Sequence, residues 1–200
     1  QVSSRGLGDV YKRQSRLSFQ KCSGMGDFPR EILDLPALVS LSLGNNGIKQ
    51  VPDEIGVLEN LESLAHSQNR LARIPAPITT VSKLKTLSLS YNRLTELPES
   101  LGAMDGLRVL SLNCNDLTAI PEDIDRLTNL EILSLNHNEL TTLPSSIANL
   151  KKLQNLLLEH NPFESLPSVM EELTGIEHFT LDAKHRPLFM DWSYQPSDQS

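Results

Sequence analysis

Apolar residues recur along most of this 200-residue chain with a fixed period of 23 residues. In the unit 84–106, which reads LKTLSLSYNRLTELPESLGAMDG, apolar residues occupy positions 1, 4, 6, 11, 14, 18 and 21, asparagine occupies position 9 and proline position 15. Six consecutive units, repeats 1 to 6, follow this frame from Leu38, Leu61, Leu84, Leu107, Leu130 and Leu153, and a looser seventh begins at Ile176. Across the six, 41 of the 42 apolar positions hold aliphatic residues, Met or Phe, so the pattern predicts a stack of similar structural units.

The first third of each unit predicts a short strand followed by a turn. In repeat 3, Leu87 and Leu89 alternate with Ser88 and Ser90, so the leucines are expected to point inward and the serines outward. A buried amide at the following turn can satisfy backbone groups of its own repeat and of the neighbouring one. Because position 9 is always asparagine, we expect a ladder along the stack formed by Asn46, Asn69, Asn92, Asn115, Asn138 and Asn161.

The second half of each unit predicts one or two helical turns on the opposite side of the stack. A proline at position 15 precedes a segment of helical spacing, as in Pro121 to Leu127, and proline is tolerated in a first helical turn. Acidic residues cluster there, namely Asp53, Glu54, Glu99, Glu122 and Asp123. Because helix N-termini favour negative charge, we interpret these acids as stabilising the turns, in preference to a metal or catalytic role.

Written for one unit, the frame is L-x-x-L-x-L-x-x-N-x-L-x-x-L-P-x-x-I-x-x-L-x-x, which resembles the leucine-rich repeat signature over roughly residues 15 to 190. The 23-residue form with L-P-x-x-I is similar to intracellular Ras-group and bacterial leucine-rich repeat proteins. The resemblance implies an α/β fold, a curved leucine-rich repeat solenoid with a parallel β-sheet on its concave face and short helical turns on its convex face. It also implies that partners, commonly proteins, bind on the concave face.

Both ends of the array depart from the frame, as expected for terminal repeats that cover an apolar core. We divide the chain into a leader (1–14), a degenerate N-terminal repeat or cap (15–37), six repeats (38–175), a partial repeat with a C-terminal cap (176–194) and a polar tail (195–200). The leader ends in DVYKRQ, which resembles a translated sequencing adapter; a native disordered tail is the alternative.

Cys22 takes the ladder position of the degenerate repeat. Leu188, Phe189, Met190 and Trp192 are expected to cap the last repeat, and a docking motif of Trp192 and Tyr194 is the alternative.

Charge and composition narrow the class of partner and the location. The net charge is −7, from 18 Lys and Arg against 25 Asp and Glu, which argues against a nucleic-acid partner. No apolar run approaches the roughly 18 residues of a membrane span, so we expect no membrane partner. Cys22 and Cys114 lie four repeats apart, which at about 4.8 Å per strand is too far for a disulfide. Unpaired thiols, with no glycosylation sequon and no signal peptide, predict a cytoplasmic location.

The outward-facing positions around each strand differ between repeats, as a binding surface on a uniform scaffold would. Position 5 holds small residues up to Ser134, which predicts a shallow trough, and the N-terminal half of the face is small and polar. Partner binding is therefore assigned to the later repeats, at Tyr91, Arg108, Asn113, Cys114, Glu131, Asn136, His137, Glu159 and His160. At position 2, Glu62, Lys85, Arg108 and Glu131 carry opposite charges that can pair across adjacent strands.

The sequence contains no pattern that predicts catalysis. It has no Walker loop, dinucleotide-binding glycine motif, H-E-x-x-H, C-x-x-C or G-x-S-x-G elbow. Cys114, His137, Glu159 and His160 are expected to stack close together, but a parallel stack aligns side chains in a row instead of converging them on a metal. We therefore predict no metal, no cofactor and no small-molecule substrate. The predicted function is a protein–protein interaction module or scaffold; the alternative is the recognition domain of a larger enzyme, such as a kinase, GTPase or ubiquitin ligase.

His66 is the one exception among the 42 apolar positions, because it occupies position 6 of repeat 2, where the other repeats have leucine. We expect a neutral, hydrogen-bonded core histidine whose pKa is lowered by burial. A ligand-binding or pH-sensing histidine is the alternative.

Overall fold

In the part of the chain that the structure describes, eight three-residue strands form one parallel sheet and follow one another in sequence order. The computed structural model describes residues 14–22, 25–165, 168–173 and 175–182. The strands are β1 Arg16–Ser18, β2 Ser40–Ser42, β3 Ser63–Ala65, β4 Thr86–Ser88, β5 Val109–Ser111, β6 Ile132–Ser134, β7 Asn155–Leu157 and β8 His178–Thr180. Short 3-10 turns alternate with them at Arg30–Asp34, Asp53–Val57, Ala76–Thr80, Leu101–Ala103, Glu122–Arg126, Ser145–Asn149 and Ser168–Glu172. This architecture confirms the predicted solenoid, with helical turns that are of the 3-10 type.

Several expectations lie outside the described residues. They concern most of the leader (1–13), the proline Pro167, and the predicted C-terminal cap and docking motif beyond residue 182. None of the helices in the described ranges is long and apolar enough to cross a membrane.

Adjacent strands pair with the same register throughout the sheet. Between β4 and β5, for example, Thr86, Leu87 and Ser88 pair with Val109, Leu110 and Ser111. In β4 and β5 the central residue is buried, and the two outer residues of each strand lie half-buried on the concave face. Since a parallel strand this short has few hydrogen bonds of its own, each repeat depends on its neighbours for its backbone partners.

The core lies between the sheet and the 3-10 turns, and it consists of columns of equivalent aliphatic residues. The central strand leucines, from Leu41 to Leu156, are at most 1% exposed. Ile55, Ile78, Ile124 and Ile147 supply the matching column from the turns, and all four are fully buried. Each column continues through adjacent repeats, so the interior is one uninterrupted apolar cluster.

The asparagines of position 9 form the predicted ladder. The amide nitrogen of Asn92 donates to the carbonyl of Leu89, at 2.9 Å, and to that of His66 in the preceding repeat, at 3.1 Å. Its side-chain oxygen accepts from the backbone N–H of Leu71, at 3.0 Å. Each buried amide thus satisfies backbone groups of two repeats, which confirms the expectation.

The side chain of Cys22 does not take part in this ladder. The backbone N–H of Cys22 donates to Asn46 Oδ1 at 2.9 Å, as the N–H of Asn46 does to Asn69 Oδ1, but the residue itself is exposed. The thiol sulfur lies 3.8 Å from the carbonyl of Gln20. A thiol is a weak donor and cannot replace an amide that donates twice, so the ladder ends at Asn46.

Four of the repeat prolines lie immediately before a 3-10 turn and supply its first acceptor, namely Pro52, Pro75, Pro121 and Pro144. Pro98 precedes its turn by three residues and also accepts from the first N–H, that of Leu101. The carbonyl of Pro121 accepts from the N–H of Ile124 at 3.2 Å, and the carbonyl of Ile124 accepts from Leu127 at 3.0 Å. One acid of this turn also binds across repeats, because Asp123 Oδ2 accepts from the N–H of Gly102 at 2.8 Å. A Cβ at residue 102 would lie 2.8 Å from that same oxygen, so the contact requires glycine.

Candidate functional site

Position 8, just past each strand, adopts the left-handed backbone conformation in every described repeat. The angle φ lies between 54° and 58° at Lys21, Asn45, Gln68, Tyr91, Cys114, His137 and His160. This region is unfavourable for most side chains, so the stack must impose it. The N–H groups of Tyr91, Cys114 and His137 donate to the position-7 carbonyl of the following repeat at 2.8–2.9 Å. We call these residues the position-8 column; its backbone geometry is the same whichever side chain it carries.

In the later repeats the side chains of the position-8 column contact one another. Tyr91 is 57% exposed, and its hydrogen bond with the Cys114 side chain raises the pKa of the Tyr91 phenol. The rings of His137 and His160 stack with centroids 4.1 Å apart and planes inclined by 21°. Asp182 Oδ1 accepts from the backbone N–H of His160 at 2.9 Å and lies 3.7 Å from its Nδ1. These two contacting pairs, Tyr91 with Cys114 and His137 with His160, form a row of polar and aromatic side chains at the C-terminal edge of the sheet, which we call the ridge.

Asn113 and Asn136, which we predicted as partner-binding residues, direct their side-chain oxygens into the stack. Asn113 Oδ1 accepts from the N–H of Asn136 at 3.0 Å, and Asn136 Oδ1 accepts from the N–H of Glu159 at 2.8 Å. All three residues are half-buried. A second, shorter asparagine ladder thus lies beneath the ridge and fixes the spacing of repeats 4 to 6.

The charges at position 2 pair across adjacent strands, as predicted. Lys85 Nζ lies 2.9 Å from Glu62 Oε2, and Arg108 lies 3.4 Å from Glu131 Oε1. These pairs are largely exposed, so each contributes only about 0–1 kcal/mol. Position 2 precedes the strand and position 8 follows it, roughly 20 Å away along the chain direction at about 3.3 Å per residue. The nine predicted residues therefore lie along two opposite edges of the face.

Between these two edges lies a floor that the sequence analysis missed. Val109 and Ile132 at position 3 pair across β5 and β6, half-buried on the concave face. Leu157 at position 5 of the next repeat is also half-buried there. The two-residue alternation that placed positions 4 and 6 inside also places position 3 outside, so this signal was present in the sequence.

His66 is buried and does not belong to this face. Its ring stacks on Phe28, with centroids 5.9 Å apart, and Nδ1 lies 3.5 Å from the amide nitrogen of Asn69. Nε2 has no hydrogen-bond partner among the described residues. Burial lowers the pKa of His66 to about 4, so the ring is neutral at pH 7. The expected burial and lowered pKa are confirmed, but only one ring nitrogen has a polar neighbour.

The described residues contain no group of three His, Cys, Asp or Glu side chains placed to hold a metal ion. The rings of His137 and His160 stack on each other along the row of repeats. Cys22 and Cys114 are free thiols, the first exposed and the second half-buried. The arrangement offers hydrogen-bonding groups and aromatic faces to a surface laid across it.

Comparisons with known sequences agree with this architecture. A family model described as a leucine-rich repeat region matches residues 101–190, and a second, described as a leucine-rich repeat, matches residues 83–104. No curated protein sequence matches the chain.

Solved structures of leucine-rich repeat proteins superpose on the chain. One of Leptospira interrogans is 36% identical, with a TM-score of 0.72, over 76% of this chain and 38% of that protein. The ectodomain of the Arabidopsis thaliana membrane receptor kinase GASSHO1/SCHENGEN3, in complex with Casparian strip integrity factor 2, is 31% identical with a TM-score of 0.70, over 78% of this chain and 20% of that one. Internalin C2 of Listeria monocytogenes is 25% identical with a TM-score of 0.65, over 84% and 80%. The chain thus spans well under half the length of the first two.

With the repeat frame, the asparagine ladder and the parallel sheet, these matches show that the chain belongs to the leucine-rich repeat family.

Proposed function

We propose that this chain is a non-catalytic module that binds a protein partner on the concave face of repeats 3 to 6. One observation carries the proposal: the ridge from Tyr91 to His160 is built from exposed, chemically varied side chains on a backbone that repeats without change. A scaffold that holds such side chains in fixed positions loses little conformational entropy on binding.

The composition of the ridge and floor suits a protein surface. Tyr91 offers an amphipathic ring of the kind that is enriched at protein interfaces, and His137 and His160 add polar rings beside it. Beside them, Val109, Ile132 and Leu157 supply half-buried apolar contacts in the middle of the face. An apolar centre flanked by polar edges is the usual anatomy of such an interface. The neighbour whose structure includes Casparian strip integrity factor 2 gives further support for a peptide or protein partner.

Affinity capture with matched variants tests this proposal. The first bait carries Tyr91→Ala, His137→Ala and His160→Ala. The control carries Lys21→Ala, Asn45→Ala and Gln68→Ala, which lie in the same column with the same left-handed φ, so both baits place three alanines in equally strained conformations. We expect a partner retained by the wild type and the control and lost by the first bait. A partner lost equally from both baits, or from neither, would contradict the assignment to the later repeats.

A second candidate is the recognition domain of a larger enzyme. It is favoured by one comparison, since the matching region of GASSHO1/SCHENGEN3 is the ectodomain of a receptor kinase. Sequencing the complete transcript tests this candidate: a kinase, GTPase or ubiquitin ligase domain in the same reading frame would support it, and an open reading frame without one would refute it.

The cytoplasmic location is also a proposal, supported by the two free thiols. Fractionation of source cells with an antibody to the repeats tests it, and recovery of the protein outside the cytoplasm would refute it.

A further inference from the structure

Six charged residues form a row along one edge of the solenoid, on the turn that follows the position-8 column. Position 10 holds Arg70, Arg93, Asp116 and Glu139 in repeats 2 to 5, and position 12 adds Lys49 in repeat 1 and Glu164 in repeat 6. All six are exposed. From repeat 1 to repeat 6, the charges are three positive followed by three negative. We call these six residues the edge row.

Backbone hydrogen bonds hold the centre of the edge row in register. The N–H groups of Arg70, Arg93, Asp116 and Glu139 each donate to the position-11 carbonyl of the preceding repeat, at 2.8–2.9 Å. These four members are therefore separated by one strand spacing each, about 4.8 Å, and extend over roughly 14 Å, with the change of sign between repeats 3 and 4. Lys49 and Glu164 lie one repeat further along at either end, at position 12.

The charges of the edge row are balanced only at its centre, where Arg93 lies beside Asp116. Within residues 25–165, none of its six side chains takes part in an ion pair, whereas the position-2 charges of repeats 2 to 5 are paired. Like charges on neighbouring strands repel, and the row places Arg70 beside Arg93 and Asp116 beside Glu139. A surface of opposite charge order would relieve both repulsions.

Other charged residues near this edge belong to a different feature. Asp53, Arg73 and Glu96 line a surface depression of about 360 Å³ together with Pro75 and Pro98. This depression already contains both signs of charge, so it does not alter the charge order of the row.

The edge row is complementary to its own reversed copy. A two-fold axis through the midpoint between repeats 3 and 4 brings Arg93 opposite Asp116 of a second copy, and likewise Arg70 opposite Glu139 and Lys49 opposite Glu164. Two-fold symmetry produces every contact twice, which gives three kinds of opposite-charge contact, each made two times. No other partner needs to be invoked, because the chain itself carries the required charge order.

We propose that the edge row is a self-association surface, through which two copies of this chain pair side by side and antiparallel. Tyr91, 57% exposed and two residues before Arg93, lies beside the axis, so pairing reaches the near end of the ridge and leaves the floor formed by Val109 and Ile132 open. Exposed ion pairs are individually weak and are screened by salt, so the dimer is weak and depends on ionic strength.

Sedimentation velocity on the full chain tests the proposal. At about 0.01 M salt, where the Debye length is about 30 Å, we expect the mass of two chains; at about 1 M salt, where it is about 3 Å, we expect the mass of one. Arg70→Glu with Arg93→Glu makes the row almost entirely negative and should weaken pairing roughly tenfold or more at low salt. Adding Asp116→Arg and Glu139→Arg inverts the four central charges while Lys49 and Glu164 keep theirs; every residue again faces an opposite charge in the second copy, so the dimer should be restored.

The matched control is Lys83→Glu with Lys152→Glu, which changes the net charge by the same amount at position 23, away from the row. We expect this control to pair like the wild type, and circular dichroism should show that all variants are folded. A wild type that sediments as one chain at low salt, a folded four-residue variant that stays monomeric, or a control that loses pairing as strongly as Arg70→Glu with Arg93→Glu would each overturn the proposal.

Discussion

Repeats 2 (61–83) and 5 (130–152) share one backbone frame but carry their distinctive residues on opposite sides of it. Both have a buried position-9 asparagine, and their strands pair in the same register with the neighbouring strands. Repeat 2 has His66 in the core and Gln68 outside, whereas repeat 5 has Leu135 in the core and His137 outside, stacked on His160. Because the frame is fixed by shared positions, a residue inside can change stability without altering the surface, and a residue outside can change recognition without altering the core.

The largest effect on stability is expected from a substitution in the core of repeat 5. Leu135→Ala removes a fully buried side chain from a column that continues into both neighbouring repeats. We expect a loss of about 2–5 kcal/mol in the free energy of unfolding, because the cavity is lined by rigid neighbours. Urea denaturation measures it. A loss below about 1 kcal/mol would mean that the neighbouring side chains move in to fill the cavity, and that the repeat is less rigid than we infer.

The asparagine ladder gives a direct test of whether the two repeats share one frame. Asn138→Ala leaves the N–H of Leu117 without its partner. The carbonyls of Leu112 and Leu135 each lose one donor and keep another, from Asn115 and Asn161. At about 1–3 kcal/mol for one unsatisfied buried group, we expect a loss of roughly 1–3 kcal/mol. Asn69→Ala in repeat 2 should cost more, because Asn69 Oδ1 accepts from two backbone N–H groups, those of Asn46 and Ile48, whereas Asn138 Oδ1 accepts from one. Equal losses in urea denaturation would show that the additional bond of Asn69 contributes nothing to stability.

His66→Leu should remove the difference between the two cores. At pH 7 we expect a gain of about 1–3 kcal/mol, because the buried Nε2 without a partner is lost. The pKa of His66 is about 4 in the folded chain against 6.5 unfolded, so the unfolded chain binds a proton first as the pH falls. Wild-type stability is therefore retained above pH 6.5 and decreases between 6.5 and about 4, by up to about 3 kcal/mol at 1.36 kcal/mol per pKa unit.

Thermal denaturation of the wild type and His66→Leu over this pH range measures both effects. Subtracting the two profiles cancels the titration of acidic residues common to both chains, so the gain should grow as the pH falls. A constant gain would mean that His66 is not the group that titrates. A lower melting temperature for His66→Leu at pH 7 would show that the histidine has a specific partner.

The features that could be predicted from the sequence are those that every repeat requires. The asparagine ladder was predictable because one residue type recurs at one position and an amide there has a single way to satisfy two repeats. The stacking of Phe28 on His66 was not, because Phe28 belongs to the degenerate repeat, where the segment from Cys22 to Pro29 is one residue longer than the equivalent segment from Asn46 to Pro52. The frame there no longer assigns each residue to a position.

The candidate site was predicted less completely than the fold. A polar residue next to a strand can point outward or turn back to cap a backbone N–H, and the sequence pattern is the same in both cases. Asn113 and Asn136 turn back, whereas His137 does not. The left-handed backbone of position 8 was also not predictable, because tyrosine, cysteine and histidine rarely adopt it unless the surrounding structure imposes it.

The smallest expected effect separates the two sides of repeat 5 most clearly. His137→Ala should change the free energy of unfolding by no more than about 0.5 kcal/mol, because the residue is exposed and its left-handed backbone is held by hydrogen bonds that alanine keeps. Urea denaturation beside Gln68→Ala, the same position in repeat 2, provides the matched control. If His137→Ala costs over 1 kcal/mol more than Gln68→Ala, then the stack with His160 stabilises the fold, and the outer side of repeat 5 is part of the frame. If the two agree while the captured partner is lost only with His137→Ala, residues two positions apart in one repeat serve stability and recognition separately.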